Sequence, residues 1–388
     1  MRLPCALSGL VSGGTARLLG LLLLLPACWT ELGSKSTVRV DTLPGGTIVV
    51  QNPAAGTWDE DSAWVLTDAV RIGSQNDSGE ALFGKVVDLA LDRRGRVYVL
   101  DGVAAEIRVF ASDGSCIRTI GGAGHGPGEF AFAVGMRFDP RDRLWVLNQG
   151  NQRYSVFDTS GVLLREFPRH TTVIVLEWRG GVFGPTGDLF DMLLFPTRNG
   201  MDPGCARYDT LAQEFVDTLP CPKLPEGTPF GWGRIVPTPL GWWVGAATDY
   251  RLWQLTRAGD TVRVVEREHE PVGLSTAQRD SIRDTMHVLR RTARDAAGLP
   301  IPDRQRVFEA IVVDDNGHVW VQLSRTPDEP VTSFDVFDPG GRYLGAVKVP
   351  SVVVSIPTPV VRGDRMAFVT TDELGAQFVV TARIRGRR

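Results

Sequence analysis

Two stretches of the chain repeat each other without a gap. Residues 89–120 read LALDRRGRVYVLDGVAAEIRVFASDGSCIRTI, and residues 136–167 read MRFDPRDRLWVLNQGNQRYSVFDTSGVLLREF. Asp92 falls on Asp139, Val99 on Val146, Asp101 on Asn148, Phe110 on Phe157 and Gly114 on Gly161, each pair 47 residues apart. A period of that length marks a repeat array or a propeller. Within each unit the pattern is that of strands. Val97, Val99, Ile107 and Val109 alternate with other residues, and residues 92–95 and 112–114 break the runs as tight turns. Four short antiparallel strands in a unit of this size make a propeller blade.

Weaker copies follow at residues 173–221, 233–268 and 310–349, and a last one from about residue 352 holds three strands. The missing fourth strand is expected at residues 62–74, SAWVLTDAVRIGS, ahead of the first full unit. Pairing it with the last strands closes the ring and removes the open sheet edges. The expected fold is therefore all-β, a six-bladed β-propeller over residues 58–388, closed by an N-terminal strand. The 43 glycines and 25 prolines suit so many turns. One segment departs from the pattern. Residues 274–298 carry Ile282, Met286, Leu289 and Ala293 at helical spacing, behind a Ser275–Gln278 capping box. A helical insertion between blades four and five is expected there, its apolar stripe packed on the propeller, the alternative being a movable lid or a partner-docking helix.

The N-terminus reads as an address. Arg2 and Arg17 precede a leucine run at residues 18–25 that is too short to span a bilayer. It fits the apolar core of a secretory signal, residues 1–27. Leu25-Pro26-Ala27-Cys28 resembles a bacterial lipobox, which implies that a diacylated Cys28 becomes the new N-terminus and tethers the chain to a membrane. The alternative is an ordinary signal with a coincidental cysteine. Residues 28–57 are mostly polar or small and are expected to be a tether. The implied location is the cell envelope, lipid-anchored, in the outer membrane if the cell has two. Export also makes disulfides durable. Cys205 and Cys221 flank an expected hairpin and could pair across it, the alternative being two buried free thiols.

The run Gly124-His125-Gly126-Pro127-Gly128-Glu129-Phe130, followed by MRFDPRDRLWVLNQGNQRYSVFD, resembles the NHL-type repeat. With Arg71-Ile72-Gly73-Ser74 ahead of it, the chain resembles bacterial six-bladed propeller lipoproteins. The likeness is strong in blades one and two, fair in blade five and weak in blades three and four. It implies the fold and little about activity, because propellers host many functions.

Chemistry is expected on the face built by loops between the middle strands and by crossovers between blades. Asp101, His125, Glu129, Asn148, Asn151, Arg153, Arg198, Asp202, Asp249 and Arg251 fall in those loops, and Arg283, Arg290 and Arg294 lie on the helix. The glycine run offers backbone N–H groups to an anion, against the plainer use of letting a crossover turn tightly. Arg153 suits a carboxylate or phosphate ligand, against pairing an aspartate of a neighbouring blade. His125 with Glu129 has the chemistry of an acid–base pair. Five histidines scattered over the chain make no multi-histidine metal set, and no Cys-x-x-Cys or Gly-x-Ser-x-Gly occurs. An oxygen-ligand site for calcium or zinc at Asp101 and Asn148 stays open, though no cofactor is expected. A net charge of −3 excludes a dedicated nucleic-acid binder. Two readings remain. One is a non-catalytic tethered propeller binding a protein, peptide or glycan on its loop face. The other is a metal-dependent lactonase, hydrolase or lyase with a central divalent ion.

Overall fold

A computed structural model describes residues 37–73, 82–169, 181–184, 186–197, 200–211, 214–220, 222–223, 225, 233–292, 302–326 and 329–386. Cys28 and the signal segment lie outside them. Three strands precede the first blade: β1 (Arg39–Thr42), β2 (Ile48–Asn52) and β3 (Val65–Ile72). Blade one is β4 (Val86–Leu91), β5 (Val97–Asp101), β6 (Glu106–Phe110) and β7 (Cys116–Gly121). Blade two is β8 (Ala133–Phe138), β9 (Leu144–Asn148), β10 (Arg153–Phe157) and β11 (Leu163–Pro168). Blade three is β12 (Val182–Phe183), β13 (Leu189–Thr197), β14 (Gly200–Asp209) and β15 (Glu214–Pro220). Blade four is β16 (Gly233–Thr238), β17 (Gly241–Ala246), β18 (Arg251–Thr256) and β19 (Thr261–Arg267). Helix α1 (Thr276–Thr292) follows it. Blade five is β20 (Phe308–Val313), β21 (Val319–Leu323), β22 (Thr332–Phe337) and β23 (Tyr343–Val349). Blade six is β24 (Val360–Arg362), β25 (Arg365–Thr371) and β26 (Gln377–Arg385), with β3 as its outer strand.

The ring closes as the sequence suggests. β3 pairs antiparallel with β26, Ile72 opposite Val379 and Val65 opposite Arg385. The helix also stands where it is expected, between blades four and five. Its capping box forms in both directions: Gln278 N–H donates to Ser275 Oγ at 3.2 Å, and Ser275 N–H to Gln278 Oε1 at 2.9 Å. Met286 is buried and Ile282 half-buried, so the apolar stripe faces inward as its spacing requires.

The repeated aspartate has a mechanical role. Asp139 Oδ1 accepts the N–H groups of Arg141 and Arg143, and Oδ2 accepts Arg143 Nε at 2.6 Å and Trp145 Nε1 at 3.0 Å. Asp92 and Asp314 tie the same turn in blades one and five. The carboxylate does what a turn's unpaired backbone donors need, and that is why the residue recurs at the period of the blade.

Two expectations are corrected. Residues 28–57 are not a tether throughout. β1 and β2 form a hairpin that extends blade four to six strands, β2 running parallel to β19 with Val50 opposite Val265. The chain then crosses the rim of blade five. Asn52 Nδ2 donates to Gly341 O, Arg267 Nη2 to Ala54 O, and Trp58 N–H to Leu344 O. Trp64 stacks near Trp320 before β3 joins blade six. Buried Val50 and Trp64 hold this strap to three blades, so its polar neighbours are the solvent side of a strand and not a linker. The second correction is at residues 198–203, expected as a long irregular loop. β13 and β14 pair up to Thr197 opposite Gly200, whereas β15 reaches β14 only from Gly204 onward. A two-stranded ribbon therefore stands clear of blade three. Cys205 is disulfide-bonded; Cys221 lies outside the described residues.

Candidate functional site

Strand direction puts the loops between second and third strands, and the crossovers to the next blade, on one face. Most of the candidate residues lie there. The glycine-rich crossover follows β7. Gly121 sits at φ 83°, and a Cβ on it would fall 2.2 Å from the Phe130 ring, so only glycine allows the chain to turn this closely over that side chain. The loop consumes its own donors. Gly124 N–H goes to Phe130 O, Gly126 N–H to Glu129 Oε2 at 2.8 Å, Gly128 N–H to Glu166 Oε1 at 3.0 Å, and Ala131 N–H to Asn148 Oδ1 at 3.2 Å. With these N–H groups spent, the run is a crossover and not an anion cradle.

The residues around it fasten it further. His125 Nδ1 lies 2.7 Å from Asn151 Oδ1, and Asn151 Nδ2 donates to Gly124 O and Glu129 O. Arg153 donates to the carbonyls of His125 and Gly126 and pairs with Glu166 at 2.6 Å. Its acid is a glutamate of its own blade and not an aspartate of the next, because Glu166 on β11 stands opposite Ser155, two residues along β10. The Glu129 carboxylate accepts Gly126 N–H and His125 Nδ1 lies against Asn151, and no hydrogen bond joins His125 to Glu129 among the described residues.

Asp101 and Asn148 occupy one position in successive blades and do one job. Asp101 is fully buried. Its oxygens accept N–H groups of Gly84, Lys85, Val103 and Ala104, with Arg108 Nη2 at 3.3 Å. Asn148, also fully buried, accepts from Ala131 and donates to Glu129 O at 2.7 Å. Each staples a crossover to the loop beside it. Neither has an oxygen directed at solvent, and a set of three metal-ligating side chains does not occur among the described residues.

The other candidates are not brought together. Arg251 pairs with Glu266 at 2.6 Å, and exposed Asp249 lies 3.7 Å from Arg304. Arg283 pairs with Asp280 one turn away on the exposed side of α1. Asp202 is opposite Phe195 in the ribbon, and Arg290 lies within α1. Arg198 and Arg294 fall outside the described residues.

Two polar clusters escaped the sequence reading. Between blades two and three, Arg169 Nε meets Asp191 Oδ2 at 2.5 Å and Arg169 Nη1 meets Gln149 Oε1 at 2.6 Å, all buried. Between blades four and five, Asp335 accepts the hydroxyls of Tyr250 at 2.6 Å and Tyr343 at 2.9 Å and pairs with Arg267 at 3.0 Å. Burial raises the Asp335 carboxyl above its ordinary value, against the pull of Arg267 and the two hydroxyls. Burial also lifts the Tyr250 hydroxyl well above its own. Asp335 is 1% exposed, so the cluster is a clasp between blades and not an open site. No local motif announces it: Tyr250 and Asp335 are 85 residues apart.

The fold and this face define a six-bladed β-propeller. In sequence, residues 78–168 match the DUF5128 family, described as a 6-bladed beta-propeller; that segment holds blades one and two. No curated protein matches the sequence. In structure, the chain is similar to a protein described as exported from Bacteroides fragilis, at 10% identity and a TM-score of 0.50, covering 87% of this chain and 99% of that one. A DUF4221 family member from Bacteroides vulgatus aligns at 12% identity and 0.48, covering 83% and 98%. Virginiamycin B lyase from Staphylococcus aureus aligns at 11% and 0.42, covering 82% and 99%. These likenesses are of fold. No helix among the described residues is long and apolar enough to cross a membrane.

Proposed function

We propose that the chain is a membrane-tethered, non-catalytic binding propeller of the bacterial envelope, with the loop face as its contact surface. One observation carries the reading: the polar side chains that would do chemistry on that face hold its loops together. Asp101 alone is committed to four backbone N–H groups and an arginine. Removing such a group from its partners to bind a metal or a substrate would leave buried donors unpaired, at a cost of about 1–3 kcal/mol each. Catalytic groups need the opposite, a side chain held in place with its working atom free. The ribbon of blade three and helix α1 both rise from the same face and give it relief for binding.

Two measurements test the reading. Cys28→Ser is expected to move the protein from the membrane fraction to the soluble one; a variant that stays in membranes after salt and carbonate washing removes the tether. Purified protein soaked in calcium or zinc and then desalted is expected to retain neither in stoichiometric amount by mass spectrometry. Retention of one ion per chain, lost on substituting Asp101 or Asn148, would replace binding with metal-dependent catalysis.

A further inference from the structure

The N-terminal hairpin leaves β1 as the outermost strand of blade four, two strands beyond β19. Neighbouring strands lie about 4.8 Å apart, so β1 projects about 10 Å past the fourth strand of its blade. All four of its residues are exposed, Val40 to 50%. Arg39 and Asp41 are in no ion pair or side-chain hydrogen bond among the described residues. The hairpin's register fixes what the free edge offers. Thr42 is opposite Ile48, and one step on, the Leu43 N–H donates to Thr47 O at 2.8 Å. Backbone groups along an antiparallel strand point alternately to one side and the other. Residues 39, 41 and 43 therefore turn theirs to β2, and Val38, Val40 and Thr42 turn theirs outward. Such a row of donors and acceptors is a template for another strand.

We infer that β1 pairs antiparallel with β1 of a second copy of this chain, joining two blade-four sheets across a two-fold axis. The proposal goes beyond the loop-face reading and does not depend on it. In such a pair outward groups must meet outward groups, so a residue opposes either itself or one an even number of positions away. Centred on Val40, the pairing sets Val40 against Val40, Val38 against Thr42, and Arg39 against Asp41 twice. The Arg39–Asp41 positions are the non-hydrogen-bonded ones, where side chains approach most closely and opposite charges stabilise. Val40 meets its copy on the sheet face that carries Val50, which it opposes in the hairpin.

The other outer strands do not offer this match. β7 carries Arg118 alone, and β15 carries only the acids Glu214 and Asp217. In β11, Arg165 and Glu166 are adjacent, which puts them on opposite faces of the sheet. β3 is interrupted by a bulge at Asp68, where φ is 51°. The edge of β23 is taken by the strap, through the Trp58 N–H on Leu344 O. A contact of one short strand falls below the roughly 1,200 Å² of a standard interface, so the dimer it gives depends on concentration.

The test is sedimentation equilibrium of the full chain in a density-matched detergent, over a hundredfold range of concentration. The parent is expected to rise from one chain toward twice that mass. Arg39→Asp leaves two acids on the strand and Asp41→Arg two bases, so each variant alone is expected to stay monomeric. Mixed one to one they should recover the dimer, as should the double variant that exchanges the charges. The substituted side chains are exposed, so the fold is not at stake. Hydrogen exchange reads the edge itself: the Val40 and Thr42 amides are expected to exchange fast in dilute protein and slowly in concentrated protein, with the Asp41 amide protected in both. A parent that stays monomeric throughout overturns the inference. A dimer that survives both single variants lies elsewhere and overturns it too. Val40 and Thr42 amides already protected in the dilute monomer would mean that the chain covers its own edge, with the same result.

Discussion

Among their described residues, the junction between blades one and two and the junction between blades three and four share a plan and differ in packing. At the first, Tyr98, Leu100, Ile107 and Val109 meet Met136, Leu144, Val146 and Phe157, all buried. At the second, the described buried residues are Cys205, Trp242 and Val244. Leu219, Ile235, Trp253 and Leu255 are only partly covered there. A cleft of about 480 Å³ opens beside them, lined by Pro222, Lys223, Pro225 and Trp253. Among the described residues, the looser junction falls where the repeat fades. A blade sheet packed on both faces restricts every position to a side chain of the right size. A sheet wet along part of one face tolerates change there, and its sequence drifts from the pattern while its strands remain.

The largest expected effect is in a pair of truncations, one in the closed junction of blades two and three and one at the cleft. Trp145 is fully buried among Tyr154, Phe167 and Phe183, and its indole N–H serves Asp139. Trp145→Ala is expected to cost about 3–5 kcal/mol, as buried aromatic truncations do. Trp253→Ala at the cleft removes a side chain that already borders open space, and about 1 kcal/mol or less is expected because little new cavity forms. Denaturant midpoints with unchanged slopes would measure both. Equal losses would mean that the cleft is closed in solution and that its junction packs as tightly as the one between blades two and three.

The next effect concerns the staples. Asp101→Ala strands four backbone donors and leaves Arg108 without one of its charge partners, and a loss of about 3–5 kcal/mol is expected for breaking a buried pair. Asn148→Ala, the same position one blade on, removes two hydrogen bonds without orphaning a charge. It should cost about 1–3 kcal/mol. Melting of the two variants side by side checks the order. If Asp101→Ala is the milder change, its carboxylate is not the structural tie that the geometry indicates.

These staples also mark how far the sequence could be read. Asp92 and Asp139 showed the blades because turn and carboxylate lie within four residues of each other. β3 was legible as a lone strand because the last unit lacked one. The β1–β2 hairpin was not, since its partner strand β19 is more than 200 residues away and its exposed face is polar. The ribbon of blade three was hidden by Gly200, Pro203 and Gly204, which read as a loop but pair as strand. The candidate residues fall on the loop face as their positions in the repeat suggested, and several of their side chains tie loops together. Whether Asp101 or Glu129 is free depends on backbone N–H groups, and those are the same at every position of a sequence.

Tyrosine ionisation sharpens the comparison at alkaline pH. Tyr98 is fully buried in the tight junction, and desolvation pushes its hydroxyl up to about 12 from 10. The folded state resists losing this proton more than the unfolded chain does. Its contribution is whole below pH 10 and is lost as pH rises from 10 through 12, by at most about 3 kcal/mol for a shift of two units. Tyr98→Phe is expected to flatten that part of the stability profile relative to the parent. An unchanged alkaline slope in the variant would assign the loss to other tyrosines.

The smallest effect separates two arginines in equivalent places. Arg251 has a side chain 48% exposed and pairs with Glu266 at the rim of blade four. Exposed pairs of this kind are worth about 0–1 kcal/mol, so Arg251→Ala should leave the melting temperature nearly unchanged. Arg153 is less exposed, at 20%, and joins Glu166 to the carbonyls of His125 and Gly126. Its loss should cost about 1–2 kcal/mol, most of it local to the crossover. Hydrogen exchange reads the locality directly. In Arg153→Ala, the amides of Gly124, Gly126 and Gly128 are expected to exchange faster, while strand β10 beyond Ser155 keeps its protection. Arg251→Ala should show no matching change at 247–250. Should the glycine amides stay protected without Arg153, Glu129 and Glu166 hold the crossover by themselves. The arginine would then be a surface pair like its counterpart, and the two blades would differ in their cores alone.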